Sequence, residues 1–378
     1  MTEGCVSLAE KIGQLFIVGF EGTEVTPELE AWMASYGWGG VIIFGRNVES
    51  PGQLLALTQG LQAVAQARGH PPLLIAVDQE GGRVARLKAP FTKFPSATMV
   101  GQTSSAHLAY KVGEAIAREL RAVGITMDMA PVLDVRSNPA NTVIGDRAFS
   151  SDPQAVARLG TACMHGMHAA GVLAVGKHFP GHGDTLLDSH VALPVCERTV
   201  DRLNTCELLP FEAAIAAGLE AIMSAHVVYK IWDPHLPATL SSPILSGILR
   251  EKLGFQGVVV TDDLGMAAVS ETVPWEEVPV QALRAGVDLL LICHQRERQE
   301  QAYAHVLTSM QRGKLSAALV ERAVARVRAL KSRLYLLLQN VATPAPLACI
   351  GSAEHLALAA CIAEQSAFQA MRRDAHGD

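Results

Sequence analysis

Residues 73–84 read Leu73-Leu74-Ile75-Ala76-Val77-Asp78-Gln79-Glu80-Gly81-Gly82-Arg83-Val84, an apolar run that ends abruptly in charged and glycine residues. The run is short for a helix and does not alternate between apolar and polar, so it predicts a strand buried on both faces. The same pattern recurs at Leu15–Phe20, Val41–Phe44, Ile125–Ala130, Val172–Val175, Ala221–Ser224, Val258–Thr261 and Val287–Ile292, with longer helical patterns between the runs. Four of those segments open on Thr26-Pro27, Ser50-Pro51, Asp152-Pro153 and Ser242-Pro243. In each, an N-cap oxygen accepts from an orphan amide, and proline at the first helical position has no amide to orphan. Eight strand–helix alternations with no second block of strands predict an α/β fold of the (β/α)8 barrel type; an open doubly wound sheet is the alternative. No sequence repeat accompanies the repeating architecture.

The barrel is expected to fill residues 1–340 as a single catalytic domain. After the turn-rich connector 341–347, an Ala-rich helical pattern from about Ser352 to Met371 makes residues 341–378 a C-terminal extension. It reads as an accessory helix packed on the barrel or as an oligomer contact. A chain of 378 residues, 49% hydrophobic and 18% charged, can bury such a core. Length alone suggests two domains, but α/β barrels routinely exceed that prior.

Net charge is -6 and the two signs are interspersed, so no field holds nucleic acid or an anionic membrane. Glu3, Glu10 and Lys11 interrupt the first fifteen residues, which therefore lack the apolar core of a secretory signal. No stretch reaches 18 uninterrupted apolar residues, so no membrane span is expected. The seven cysteines, at 5, 163, 196, 206, 293, 349 and 361, are odd in number and form no CxxC. That argues against a disulfide framework or thiolate zinc site and fits a reducing, intracellular setting. Cys163 and Cys293 read as small core residues.

Catalytic side chains of such barrels sit at the carboxyl ends of the strands. Beyond Asp78-Gln79-Glu80, these ends offer Asn141-Thr142-Val143-Ile144-Gly145-Asp146-Arg147 after strand 4 and Lys177-His178-Phe179-Pro180-Gly181-His182-Gly183-Asp184-Thr185 after strand 5. Asp188-Ser189-His190 follows, strand 6 ends at His226, and strand 7 runs into Thr261-Asp262-Asp263-Leu264-Gly265-Met266. Asp262, on the last residues of a rigid strand, suits a nucleophile that must be held in alignment, and is otherwise a helix N-cap. Asp263 then points elsewhere and is structural. His178, His182, Asp184 and His190 are also ligands in type for a metal, although strand 1 brings none of the paired histidines usual in barrel metallohydrolases. Glu80 and Arg83 form a candidate internal ion pair, His226 a pocket wall. Asp134 touches substrate or supports the loop that carries Arg147. Gly181 and Gly183 are candidate hinges of a moving loop.

The strings DQEGGRV, KHFPGHGDT followed by DSH, and TDDLGM closely resemble family 3 glycoside hydrolases, over about residues 8 to 335. Within the family they look like the β-N-acetylglucosaminidase branch, whose bacterial cytoplasmic members recycle peptidoglycan. The resemblance implies a nucleophile at Asp262 and an acid/base histidine at His190 paired with Asp188. It also implies sugar contacts from Asp78, Arg86, Arg147, Lys177 and His178, with no metal or organic cofactor. A histidine titrating near 6.5 exchanges protons near neutral pH without the burial a carboxyl needs, and an aspartate orients it. The resemblance implies a small carbohydrate or muropeptide as partner and a cytoplasmic setting; no nucleic acid or membrane partner is expected, and the oligomeric state is left open between monomer and weak dimer. A phosphorylase on the same scaffold, a non-catalytic sugar-binding barrel and a hydrolase of plain β-glucosides are the other readings. The second would be expected to lack Asp262 or His190, which are both present.

Overall fold

The eight apolar runs pair, all in parallel, into one sheet that closes on itself. The computed structural model describes residues 7–185, 193–270, 272–341 and 345–376. Its strands are β1 (Phe16–Val18), β2 (Gly40–Ile43), β3 (Leu74–Val77), β4 (Met127–Asp128), β5 (Leu173–Phe179), β6 (Ala221–Ser224), β7 (Val258–Thr261) and β8 (Leu290–Ile292). Each neighbours the next in chain order, and β1 pairs with β8 through Phe16↔Leu290, Ile17↔Leu291 and Val18↔Ile292. A bridge at Val260↔Leu289, with the Thr261 amide donating to Leu289 O at 3.0 Å, joins β7 to β8 and completes the (β/α)8 barrel. Helices surround it, which is why the strands are buried along both faces.

Three of the four expected caps form. Thr26, Ser50 and Asp152 accept from the amides of Leu29, Gln53 and Gln154. Ser242 does not cap: at φ -62 and ψ -41 it is itself helical, so its side chain cannot fold back onto an orphan amide. The helix it precedes, Pro243–Lys252, winds in wide π turns.

β5 runs four residues past its expected end at Val175. Lys177 and His178 are polar yet lie inside the strand, which continues to pair through Val132↔Lys177 and Phe179↔Ser224.

The final helix, Ala353–His376, packs against helices Ala97–Gln102 and Ala106–Ala122. Buried Glu119 receives the Thr92 amide at 2.9 Å, the Thr92 hydroxyl at 2.6 Å and the Gly351 amide at 3.1 Å, and meets His355 Nδ1 at 2.8 Å. The stretch Leu347–Gln369 has a mean hydropathy of 1.4 and is 17% buried, so by length and composition it could cross a membrane. Counting uninterrupted apolar residues missed it, because Glu354, His355 and Glu364 break the run. The described cysteines from Cys163 onward are free thiols.

Candidate active site

A cavity of about 510 Å³ opens at the carboxyl ends of the strands. Asp78, Glu80, Arg86, Arg147, Lys177, His178, His182 and Asp262 all line it. Five of these side chains form a line of alternating charge. Arg86 Nη2 lies 3.4 Å from Asp78, whose other oxygen meets Lys177 Nζ at 2.8 Å. Lys177 then meets Glu80 at 2.7 Å, and Arg147 grips both Glu80 oxygens at 2.8 and 2.7 Å. Burial would raise the Glu80 pKa, but the Lys177 and Arg147 cations outweigh it and hold the carboxyl well below its usual range. Burial disfavours both cations too, yet the carboxylates of Asp78 and Glu80 keep Lys177 raised and Glu80 keeps Arg147 raised. The network is thus a fixed set of charged donors and acceptors suited to hydroxyl groups.

β5 carries the next part. His178 Nδ1 meets Asp134 Oδ2 at 2.7 Å, and its Nε2 faces Arg147 Nη2 at 3.4 Å. Asp134, fully buried, also accepts the amides of His178 and His182. Among the described residues its side chain bonds β5 and the loop after it rather than the loop that carries Arg147, and it does not line the cavity. Burial and the neighbouring His178 push the His182 pKa down to about 4.

Asp262 follows β7. Its amide donates to Ser224 O at 3.3 Å, and its Oδ1 accepts the Asp263 amide at 2.8 Å. Burial would raise its pKa, but His226, His178, the Asp263 amide and Lys177 together lower it to about 2. An ionised carboxylate therefore stands open to the cavity. Asp263, which also lines the cavity, accepts the amides of Gly265 and Cys293 at 3.0 Å each, and burial raises its pKa.

Residues 7–330 match the family described as "Glycosyl hydrolase family 3 N terminal domain". The chain belongs to glycoside hydrolase family 3. It is 43% identical to the "Beta-hexosaminidase" of Methylobacillus flagellatus over 296 residues, 77% of this chain and 83% of that protein. Among solved structures, a family 3 β-N-acetylglucosaminidase from Paenibacillus sp. str. FPU-7 is 42% identical with a TM-score of 0.91, over 96% of this chain and 69% of that one. NagZ from Neisseria gonorrhoeae, solved with N-trifluoroacetyl-D-glucosamine, is 31% identical with a TM-score of 0.74, over 93% and 98%. The protein is a glycoside hydrolase.

In this family 3 barrel, Asp78, Arg86, Arg147, Lys177, His178 and Asp262 converge as a group from five stretches of chain. His190 and Asp188 lie outside the described residues. Two expectations are corrected. Glu80 pairs with Lys177 and Arg147, not with Arg83; the hairpin of Gln79–Gly81 and Val84–Ala85 carries Arg83 to another part of the cavity lining, to Asp146 at 2.8 Å and the Val143 carbonyl at 2.5 Å. His226 is not a pocket wall. It lies beneath the cavity, 1% exposed, between Thr239 Oγ1 and the Asp263 carbonyl.

The glycines of β5's loop have a packing reason. A Cβ on Gly183 would sit 1.6 Å from the Val135 carbonyl oxygen, and Gly181 holds φ +129 against the Glu207 side chain. Loop motion is therefore not needed to explain them. Asp184 is taken by Arg198, at 2.5 and 2.9 Å, and among the described residues no group of three or more His, Cys, Asp or Glu is arranged for a metal. Sequence reading passed over Phe44 and His294, which also line the cavity. Both stand just past the carboxyl ends of β2 and β8, so the strand-end rule, applied to those strands, finds them.

Proposed function

We propose that the protein is a retaining exo-β-N-acetylglucosaminidase that removes terminal β-linked GlcNAc, in the cytoplasm, from muropeptides such as GlcNAc-anhydroMurNAc during peptidoglycan recycling. One observation carries the reading: Asp262 is held ionised at the cavity, beside a charged lattice that can fix a sugar ring through its hydroxyls. A carboxylate already deprotonated can attack the anomeric carbon directly and form a glycosyl-enzyme. In this reading His190, oriented by Asp188, protonates the leaving oxygen and then removes a proton from the attacking water, so the β configuration is retained. Asp78, Arg86, Arg147, Lys177 and His178 hold the sugar in attack geometry. The 2-acetamido group is recognised rather than used as nucleophile. The hexosaminidase and β-N-acetylglucosaminidase relatives support this substrate class.

The test is release of 4-nitrophenol from its β-N-acetylglucosaminide in phosphate-free buffer, with Asp262→Ala alongside. Turnover by the parent protein that is lost in the variant supports the reading. Turnover that requires added phosphate overturns hydrolysis in favour of phosphorolysis. None under either condition overturns the sugar assignment.

A further inference from the structure

At the opposite mouth of the barrel, the chain enters β8 through Gly286-Val287-Asp288, and a small cavity of about 110 Å³ opens beside it. Arg250, Arg284, Arg322 and Arg326 line this cavity against one carboxylate, Asp288. Asp288 is 1% exposed and already engaged. It meets Arg250 Nη2 at 2.6 Å and Arg326 Nη1 at 3.0 Å, and accepts the Val259 amide at 2.9 Å. Arg250 spends Nη1 on the carbonyls of Phe255 and Gly257, at 3.0 and 2.6 Å. Arg284 reaches the Lys314 carbonyl through Nη2. Arg322 makes no hydrogen bond or ion pair to any described residue, and Arg326 engages them through Nη1 alone.

Four guanidiniums facing one neutralised carboxylate leave an excess of positive charge around an open-mouthed cavity. Burial lowers the Arg250 pKa, Asp288 pulls it back up, and the nearby Arg326 adds a smaller push downward. The unused N–H forks of Arg284, Arg322 and Arg326 match a tetrahedral oxyanion, which accepts paired bonds from planar guanidinium. The cavity is about a fifth of the volume of the sugar cavity, so it suits a single small group rather than a pyranose ring. We propose that it binds a phosphate-type dianion, free or as the phosphate of a phosphomonoester. The site and Asp262 lie at opposite ends of the barrel, because the chain enters β8 past Gly286, Val287 and Asp288 of this cavity and leaves it at the Cys293 and His294 lining of the sugar cavity.

The experiment is isothermal titration of the intact protein with inorganic phosphate, and separately with glucose 6-phosphate, at constant ionic strength. The parent protein is compared with Arg284→Glu/Arg322→Glu. Both positions are exposed, so the double variant is expected to fold and to keep its 4-nitrophenyl glycosidase rate. Saturable binding that weakens at least about tenfold in the double variant is the expected result. Binding of both anions assigns a phosphomonoester site, and binding of phosphate alone assigns the free ion. Equal binding by parent and variant, or none in either, overturns the proposal. Thermal unfolding gives a second readout, with a midpoint rise of roughly 2–4 °C at saturating phosphate in the parent protein only.

Discussion

Arg147 and Glu80 meet side-on, with Nε and Nη2 each on one carboxylate oxygen, across 67 residues of sequence. Lys177 approaches the same carboxylate. Glu80 therefore sets where two cations of the sugar cavity stand. Glu80→Gln keeps the shape but removes the charge, leaving Arg147 and Lys177 short of an anion in a buried place. Losing a charge-assisted pair of this kind is worth about 1.5–3 kcal/mol, or roughly a 10- to 150-fold fall in kcat/KM. A fall under about threefold in 4-nitrophenyl glycosidase assays would show that the pair does not position the cavity.

The pH dependence of Asp262 has a definite sign. Its folded pKa, about 2, lies below the usual 3.8, so it stabilises the fold above pH 4 and loses that contribution as pH falls through 4 towards 2. The shift corresponds to about 2 kcal/mol. Urea unfolding at pH 5 and pH 2 should show the parent protein losing about that much more than Asp262→Asn. Parallel losses in the two proteins would refute it. The same pKa places the acidic limb of kcat/KM above pH 4 on some group other than the Asp262 carboxylate.

Asp128 behaves in the opposite sense. It is fully buried at the end of β4, with Oδ1 on the Gln79 amide and Oδ2 without a described partner. Burial raises its pKa well above 3.8, against the pull of the Gln79 amide and Lys177. The folded protein holds that proton while the unfolded chain releases it, so stability falls as pH rises above the unfolded value. Asp128→Asn should remove this loss. At pH 7 it is expected to keep kcat/KM within about twofold and to unfold at equal or higher urea. A tenfold loss of activity would mean that the carboxylate form is needed.

Glu119 and His355 fasten the final helix to the barrel. Removing one partner of a buried pair leaves the other stranded, at a cost of about 3–5 kcal/mol. Glu119→Ala also strands the amides of Thr92 and Gly351. Both Glu119→Ala and His355→Ala should lower the unfolding midpoint and expose residues 353–376 to protease. An unchanged cleavage pattern in both would show that apolar packing alone holds the helix.

The barrel was legible because strands buried on both faces need no polar positions, and continuous runs such as Leu74–Val77 announce themselves. β5 was cut short for the converse reason. Lys177 and His178 look like a strand's end, and only Asp78, Glu80 and Asp134, distant in sequence, make their burial tolerable. The Glu80 partner was misread on the same ground: Arg83 is near in the chain, but hairpin geometry sends it to Asp146. Ser242 shows that a cap depends on backbone dihedrals which the Ser-Pro dipeptide does not fix. The convergence of Asp78, Arg147, Lys177 and Asp262 was legible through the strand-end rule, whereas the arginines around Asp288 carry no motif at all.

Pairing β1 with β8 also constrains how the molecule can be made. When a ribosome has released residues 1–280, the sheet has two open edges, and Phe16–Val18 waits for a partner some 270 positions downstream. Such distant closure slows folding and leaves strand edges exposed to other nascent chains. Substitutions in Leu290–Ile292 should therefore reduce soluble yield more than their effect on the purified protein's unfolding midpoint would suggest.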